Sequence, residues 1–189
     1  MQKGMYNPSI ATFFIFHGTG GTPEGNWFPW LKAELQSQGH TVITPAFPDA
    51  EHPDLKTWMA QLEREQRITG DAILIGHSLG GTLILRILET LKIAVHGCVL
   101  VAPVSEPMSN DFDPLVATFI DHPFDWAKIR SNGGRMTILH SDNDPYVPLS
   151  HARTLADHTG ASLNVIAGGK HLNRSAGFTT FPLLRDLIQ

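Results

Sequence analysis

Ser78 stands in the run Gly76-His77-Ser78-Leu79-Gly80, between the apolar segment Ala72-Ile73-Leu74-Ile75 and a second apolar stretch from Leu83 to Leu88. A serine framed in this way is suited to nucleophilic attack. Gly-x-Ser-x-Gly between a strand and a helix makes a turn so sharp that side chains two before and two after the serine would clash, so both places need glycine. The turn lifts the hydroxyl clear of the sheet edge and sets it at the positive N-terminal end of the following helix. Three fixed positions are weak evidence alone. The flanking patterns and two further groups of residues strengthen them.

A serine hydroxyl is a poor nucleophile until a base takes its proton, and the base needs a third group to hold its tautomer. Downstream of Ser78, Asp142 and Asp144 follow the apolar run that ends at His140, and His171 follows Gly168-Gly169-Lys170. Both places are loops at the carboxyl ends of predicted strands, where parallel-sheet sites form. Spacing alone does not choose between the two aspartates. Near the N-terminus, His17-Gly18-Thr19-Gly20-Gly21 follows the first apolar run. Such a loop offers a backbone N–H, from Thr19, to an oxyanion, and Leu79 after the nucleophile offers a second. Phosphate binding fits less well. Pro23 stands where a dinucleotide loop needs its third glycine, and Gly169-Lys170 is followed by His171 rather than Ser or Thr.

These residues need a frame. Ala11 to Phe16, Thr41 to Thr44, Ala72 to Ile75, Cys98 to Ala102, Met136 to His140 and Leu163 to Ile166 read as strands. Between them, helices are predicted from Pro29 (with Trp30, Leu31 and Leu35 on one face), from Asp54 (with Leu55, Trp58, Met59 and Leu62), from Leu79 to Leu91 and from Leu149 to Asp157. Pro182 to Ile188 closes the chain as a helix with Pro in its first turn. The strands are continuous apolar runs separated by helices, which argues a mainly parallel sheet covered on both faces. The expected fold class is α/β, a single-domain three-layer α/β/α sandwich over residues 1–189.

The stretch Pro103 to Trp126 departs from this rhythm, mixing Pro, Asp and Asn with Phe112, Leu115, Phe119, Ile120, Phe124 and Trp126. It suits a small flap over the carboxyl edge of the sheet. His17 and Trp27 near the first loop, with Phe119 and Trp126 in the flap, are the candidate substrate contacts. His17 and His77 are read as shaping the site through hydrogen bonds rather than as bases. His151 and His158 fall on a predicted helix and are expected at its solvated surface.

The chain has 189 residues, 42% of them hydrophobic and 17% charged, as in an ordinary globular protein. A formal net charge of −4 offers no basic field for nucleic acid or anionic lipid. No apolar run is long enough for a membrane span. The run from Ile10 to Phe16 after Lys3 is too short for a comfortable signal segment. Cys98 is the sole cysteine, expected as a small buried hydrophobe, and a cytoplasmic protein is expected. Despite ten histidines, no metal-ligand spacing is present, and Asp142-x-Asp144 lacks the glycine and final glutamate of a calcium loop. No metal or cofactor is expected.

At this point the sequence resembles a family: the small α/β-hydrolase-fold serine hydrolases typified by retinoblastoma-binding protein nine and its bacterial relatives. The resemblance spans nearly the whole chain. It rests on His17-Gly18, Asn26-Trp27-Phe28-Pro29-Trp30-Leu31, Trp58, His77-Ser78-Leu79-Gly80, Phe124-Asp125-Trp126, Asp144-Pro145-Tyr146-Val147-Pro148 and Gly169-Lys170-His171. The order serine, acid, histidine is that of α/β hydrolases. The resemblance implies Ser78 as nucleophile, Asp144 as acid, His171 as base, a nearly lidless fold and no cofactor. Lys170 is a mild departure, standing where a second glycine often precedes the histidine. The implied function is hydrolysis of a small ester, thioester or amide, so the expected partner is a small-molecule acyl substrate. The alternative is a binding protein that keeps the fold and holds a partner with Trp27, Phe28, Trp30, Phe112 and Phe119.

Overall fold

Apolar runs too continuous for a one-sided sheet become six strands of a single sheet. They are β1 (Thr12–Phe16), β2 (Thr41–Ile43), β3 (Ala72–His77), β4 (Gly97–Val101), β5 (Arg135–Ser141) and β6 (Ser162–Ile166). The computed structural model describes residues 10–65 and 67–188, so the reading around Lys3 lies outside the described residues. The strand order is β2-β1-β3-β4-β5-β6, and every pairing is parallel. Side chains alternate between the two faces. Phe14, Phe16, Leu74, Leu100 and Ile138 enter one core, while Phe13, Ile15, Ile75, Val99 and Leu139 enter the other. Both faces are apolar, so a period of two is hidden inside uninterrupted hydrophobic runs.

The helices are α1 (Phe28–Ser37), α2 (Leu55–Glu65), α3 (Leu79–Thr90), α4 (Asp113–Ile120), α5 (Trp126–Asn132), α6 (Leu149–Thr159) and α7 (Pro182–Leu187). Residues of α1 and α7 pack in one core and those of α2 to α6 in the other, which makes three layers. Helix α1 begins one residue ahead of Pro29, and its buried stripe is Phe28, Leu31 and Leu35. Trp30 is only partly buried. Asp54 ends the loop before α2 by accepting the Thr57 N–H at 2.8 Å. Trp58 of α2 is fully buried and stacks on Phe47 with centroids 4.5 Å apart. Burying so large a ring contributes roughly 2–3 kcal/mol, and Trp58→Ala would cost about 3–5 kcal/mol through the cavity it leaves.

This topology places the site. β1 and β3 are neighbours, but β1 leads to α1 on one face and β3 to α3 on the other. Their carboxyl ends therefore part, and the crevice that opens there is where parallel sheets bind ligands. The glycine-rich loop after β1 and Ser78 after β3 flank it.

The segment between β4 and β5 folds as bends, then α4, then a loop into α5. Its anchor is Arg86 of α3, whose side chain is 3% exposed. The guanidinium donates to the carbonyls of Phe119 (2.8 Å) and His122 (2.7 Å), pairs with Glu89 (2.9 Å) and lies over the Phe124 ring. A buried cation persists only when its donors are matched in this way.

Candidate active site

Ser78 adopts φ 54 and ψ −123 between β3 and α3. A non-glycine residue at positive φ outside the helical region stores about 1–3 kcal/mol, held here by surrounding bonds. The Ser78 N–H donates to Val101 O at 2.8 Å, and Ser78 O accepts from Gly81 N at 2.9 Å. The glycines on either side are sterically required. A Cβ on Gly80 would stand 2.7 Å from His17 O, and one on Gly76 would stand 2.6 Å from Gly81 N. The glycine-rich loop crosses close by, since a Cβ on Gly18 would lie 2.9 Å from Ser78 Cβ and 3.1 Å from Leu79 N. In that loop Gly20 N and Gly21 N are engaged by Ala50 O and Gly18 O. No backbone bond to a described residue occupies the Thr19 N–H. Leu79 opens α3, so its N–H has no partner in the helix ladder. Both amides remain able to donate beside Ser78.

Across the crevice, His171 Nδ1–H donates to Asp144 Oδ2 at 2.8 Å. That bond sets the tautomer and leaves Nε2, on the opposite edge of the ring, as an acceptor toward the cleft that His171 lines. Asp144 Oδ1 accepts from the amides of Tyr146 (2.9 Å) and Val147 (3.1 Å). Burial alone would raise the Asp144 carboxyl. The His171 hydrogen bond and charge, with those two amides, outweigh it and hold the carboxyl below its ordinary value. Asp142 does something else, accepting the Gly168 N–H at 2.8 Å.

The loop that carries His171 is bound from several directions. Asn143 Oδ1 accepts Lys170 N at 2.8 Å, and Ser141 Oγ donates to Lys170 O. His77 Nε2–H donates to His171 O at 2.9 Å, and Trp27 Nε1–H donates to Leu172 O at 3.1 Å. Lys170 and Leu172, either side of His171, sit at φ 48 and 52. Such a backbone persists because its surroundings over-determine it. Burial, then the nearby His171, lowers the His77 pKa to about 3, so its ring stays neutral.

The pattern of the serine hydrolase family matches residues 13–189. The chain belongs to the serine hydrolase family. It is similar to YdeN of Bacillus subtilis (strain 168), 29% identical over 178 residues that cover 93% of each chain. It is also similar to the serine hydrolase RBBP9 of Rattus norvegicus, 25% identical over 185 residues covering 97% of this chain and 98% of that one. The crystal structure of the ydeN gene product superposes with a TM-score of 0.87 at 28% identity, covering 94% of this chain and 96% of that one. The three-layer sheet described above is thus an α/β-hydrolase fold with a minimal lid.

Ser78 and His171 share one open cleft of about 350 Å³, within the range of small-ligand sites. The four candidate substrate contacts do not line it. His17 is buried, its Nδ1–H donating to Gly18 O at 2.9 Å and its Nε2 accepting the Phe47 N–H at 3.1 Å. Burial lowers its pKa, so it stays a neutral brace. Trp27 is 0% exposed and holds the His171 loop, as above. Phe119 is 0% exposed and packs edge-on against Trp58. Trp126 opens α5 and stacks parallel on His158 at 4.5 Å, lining a separate groove with Ile120 and Thr154. For Trp27 and Phe119 the reason is that a large aromatic ring gains by complete burial, which composition alone cannot tell from a cleft wall. His151 also differs from expectation, with its side chain only 13% exposed and 3.6 Å from Glu106.

The cleft's apolar wall comes instead from Val104, Met108, Phe112, Leu115, Val116 and Val147, and its polar wall from Thr19, Asn26, Glu51 and Asn173. Their place in the loops that follow β1, β2 and β5 was the available signal for Asn26, Glu51 and Tyr146. His140, at the end of β5, is likewise unforeseen. It is fully buried, donates from Nε2 to Val147 O at 2.9 Å and stands 3.9 Å from Asp144, with its pKa lowered by burial. Cys98 lies in the core, where burial pushes its thiol up. Among the described residues, no three His, Cys, Asp or Glu side chains gather in a group able to hold a metal ion.

Proposed function

We propose that this serine hydrolase cleaves small carboxylic esters, thioesters or amides through an acyl-serine intermediate, with Ser78, His171 and Asp144 as its triad. The observation that carries this reading is the 2.8 Å bond from His171 Nδ1–H to a buried Asp144, which leaves Nε2 free toward the cleft that Ser78 enters from a strained turn. Ser78 Oγ attacks the carbonyl carbon as His171 Nε2 takes its proton, and the carbonyl oxygen becomes an anion held by the Thr19 and Leu79 amides. The positive end of α3 favours the same charge. Collapse of the intermediate expels the alcohol, thiol or amine with the proton from His171. Water then attacks the acyl-serine, gives a proton to His171, and the carboxylic acid leaves with Ser78 restored.

The short α4 segment leaves the cleft open, which supports short acyl groups over long lipids. The binding-protein alternative loses ground because Trp27, Phe28 and Phe119 lie in the core, and Phe112, at 43% exposure, already belongs to the cleft. We assign the reaction to the cytoplasm, a reading supported by the single buried cysteine. No helix of the described residues is long and apolar enough to cross a membrane. A fluorophosphonate should label Ser78, read by peptide mass spectrometry, and kcat/KM should fall from short to long acyl esters. An unlabelled Ser78 after saturating exposure would overturn the nucleophile assignment.

A further inference from the structure

The strip of chain from Ala46 to His52 leaves β2 beside the glycine-rich loop. Much of it faces solvent, yet it is tied down at almost every step. Gln61 Nε2 donates to Ala46 O at 3.0 Å, Phe47 N to His17 Nε2 at 3.1 Å, and Trp58 Nε1 to Pro48 O at 3.0 Å. Gly20 N, in the loop that carries Thr19, donates to Ala50 O at 2.6 Å. A turn closed by His52 N and Asp49 O at 2.9 Å completes the set. Phe47 alone of the strip enters the core. What the strip positions is Glu51, whose carboxylate folds back over Gly20, its Oε1 3.3 Å from where a Cβ there would stand.

Among the described residues, Glu51 is the only carboxylate that lines the cleft, and no lysine or arginine lines it. Behind His171 the ionised Asp144 adds charge of the same sign. Met108, Leu115 and Val116 face the same space without charge. A substrate spanning the cleft therefore meets an apolar wall and one negative group, which lies beside the loop assigned to the oxyanion. Because the backbone under Glu51 is already ordered, engaging a ligand orders only its side chain.

We infer that Glu51 is a specificity-determining residue and that the cleft selects small esters or amides carrying an alkylammonium group, held at Glu51, with an apolar group against α4. This rests on the hydrolase reading of Ser78. A cation beside the exposed Glu51 carboxylate gains a direct charge pair, strongest at low salt, whereas a substrate carboxylate there is repelled.

The test uses matched four-carbon esters whose chain ends in methyl, ammonium or carboxylate, with the substituent placed first in the alcohol half and then in the acyl half. In one half, kcat/KM should rise about tenfold from methyl to ammonium and fall about tenfold to carboxylate at low ionic strength. Both differences should shrink with added salt. In Glu51→Gln the ammonium-to-methyl ratio should drop toward one, with fluorophosphonate labelling of Ser78 reporting that the variant is folded. Equal rates for ammonium and methyl esters in both halves, or a ratio that survives Glu51→Gln, would overturn the inference. Loss of methyl-ester turnover and of Ser78 labelling in the unaltered protein would instead remove the hydrolase reading itself.

Discussion

The indole N–H of Trp27 donates to the carbonyl of Leu172 at 3.1 Å, linking residues 145 positions apart in the chain. Through this bond the entrance to α1 supports the loop on which His171 is held.

Replacing Trp27 by Phe keeps an aromatic ring in the core but removes the donor, leaving Leu172 O without it. The expected cost is about 1–3 kcal/mol in stability. If the bond also positions His171, kcat for a short ester should fall roughly tenfold with little change in KM, since small misplacements of a catalytic group are costly. Urea denaturation and steady-state kinetics on the same preparation separate the two effects. An unchanged kcat would confine Trp27 to packing.

Asp144 and Asp142 make opposite predictions. Asp144→Asn replaces an acceptor that fixes the His171 tautomer, so kcat should drop by up to about 10⁴-fold while the fold persists. Asp142→Asn weakens only the bond from Gly168 N, at a cost on the order of 1 kcal/mol. Activity assays of both variants decide it, and the reverse ranking would sink the assignment of the acid.

Stability should decline on the acid side of neutrality. His77 is held neutral by burial with a pKa of about 3, against an ordinary value of 6.5. Below 6.5 the unfolded chain binds a proton that the native ring refuses. The stabilisation is therefore complete above that pH and is lost as pH falls toward 3. At pH 5 the loss from this ring alone is about 2 kcal/mol. His17 and His140, also lowered, act in the same direction. In His77→Gln, whose amide can still offer a donor to His171 O, urea midpoints should depend less on pH between 6.5 and 5. Parallel curves for the two proteins would contradict this.

Arg86→Met leaves the carbonyls of Phe119 and His122 and the carboxylate of Glu89 without their buried cation. The expected destabilisation is about 3–5 kcal/mol, or roughly 10 °C in Tm. Because α4 carries Leu115 and Val116 to the cleft, KM for short esters should rise as well. Calorimetry showing a shift of only a degree or two would mean that the flap is held by its apolar contacts alone.

Local chemistry determined a great deal by itself. The runs that became β1, β3, β4 and β5 were legible because each is apolar on both faces, and α1 and α2 because each shows one apolar stripe against the sheet. Gly76 and Gly80 announced the turn around Ser78, since a Cβ at either place would meet backbone atoms. Strand ends located the loops of Thr19, Asp144 and His171, because a parallel sheet gathers its loops at one edge. Tertiary structure decided the rest. Whether Asp142 or Asp144 meets His171 depends on how a loop 27 residues away is folded. Trp27, Phe119 and Trp126 resembled cleft residues because an aromatic side chain looks the same in a sequence whether a cavity or a neighbouring ring surrounds it. Glu51 carried no signal beyond its place in a loop, and it lines the cleft because the bond from Gly20 N to Ala50 O joins two separate loops there.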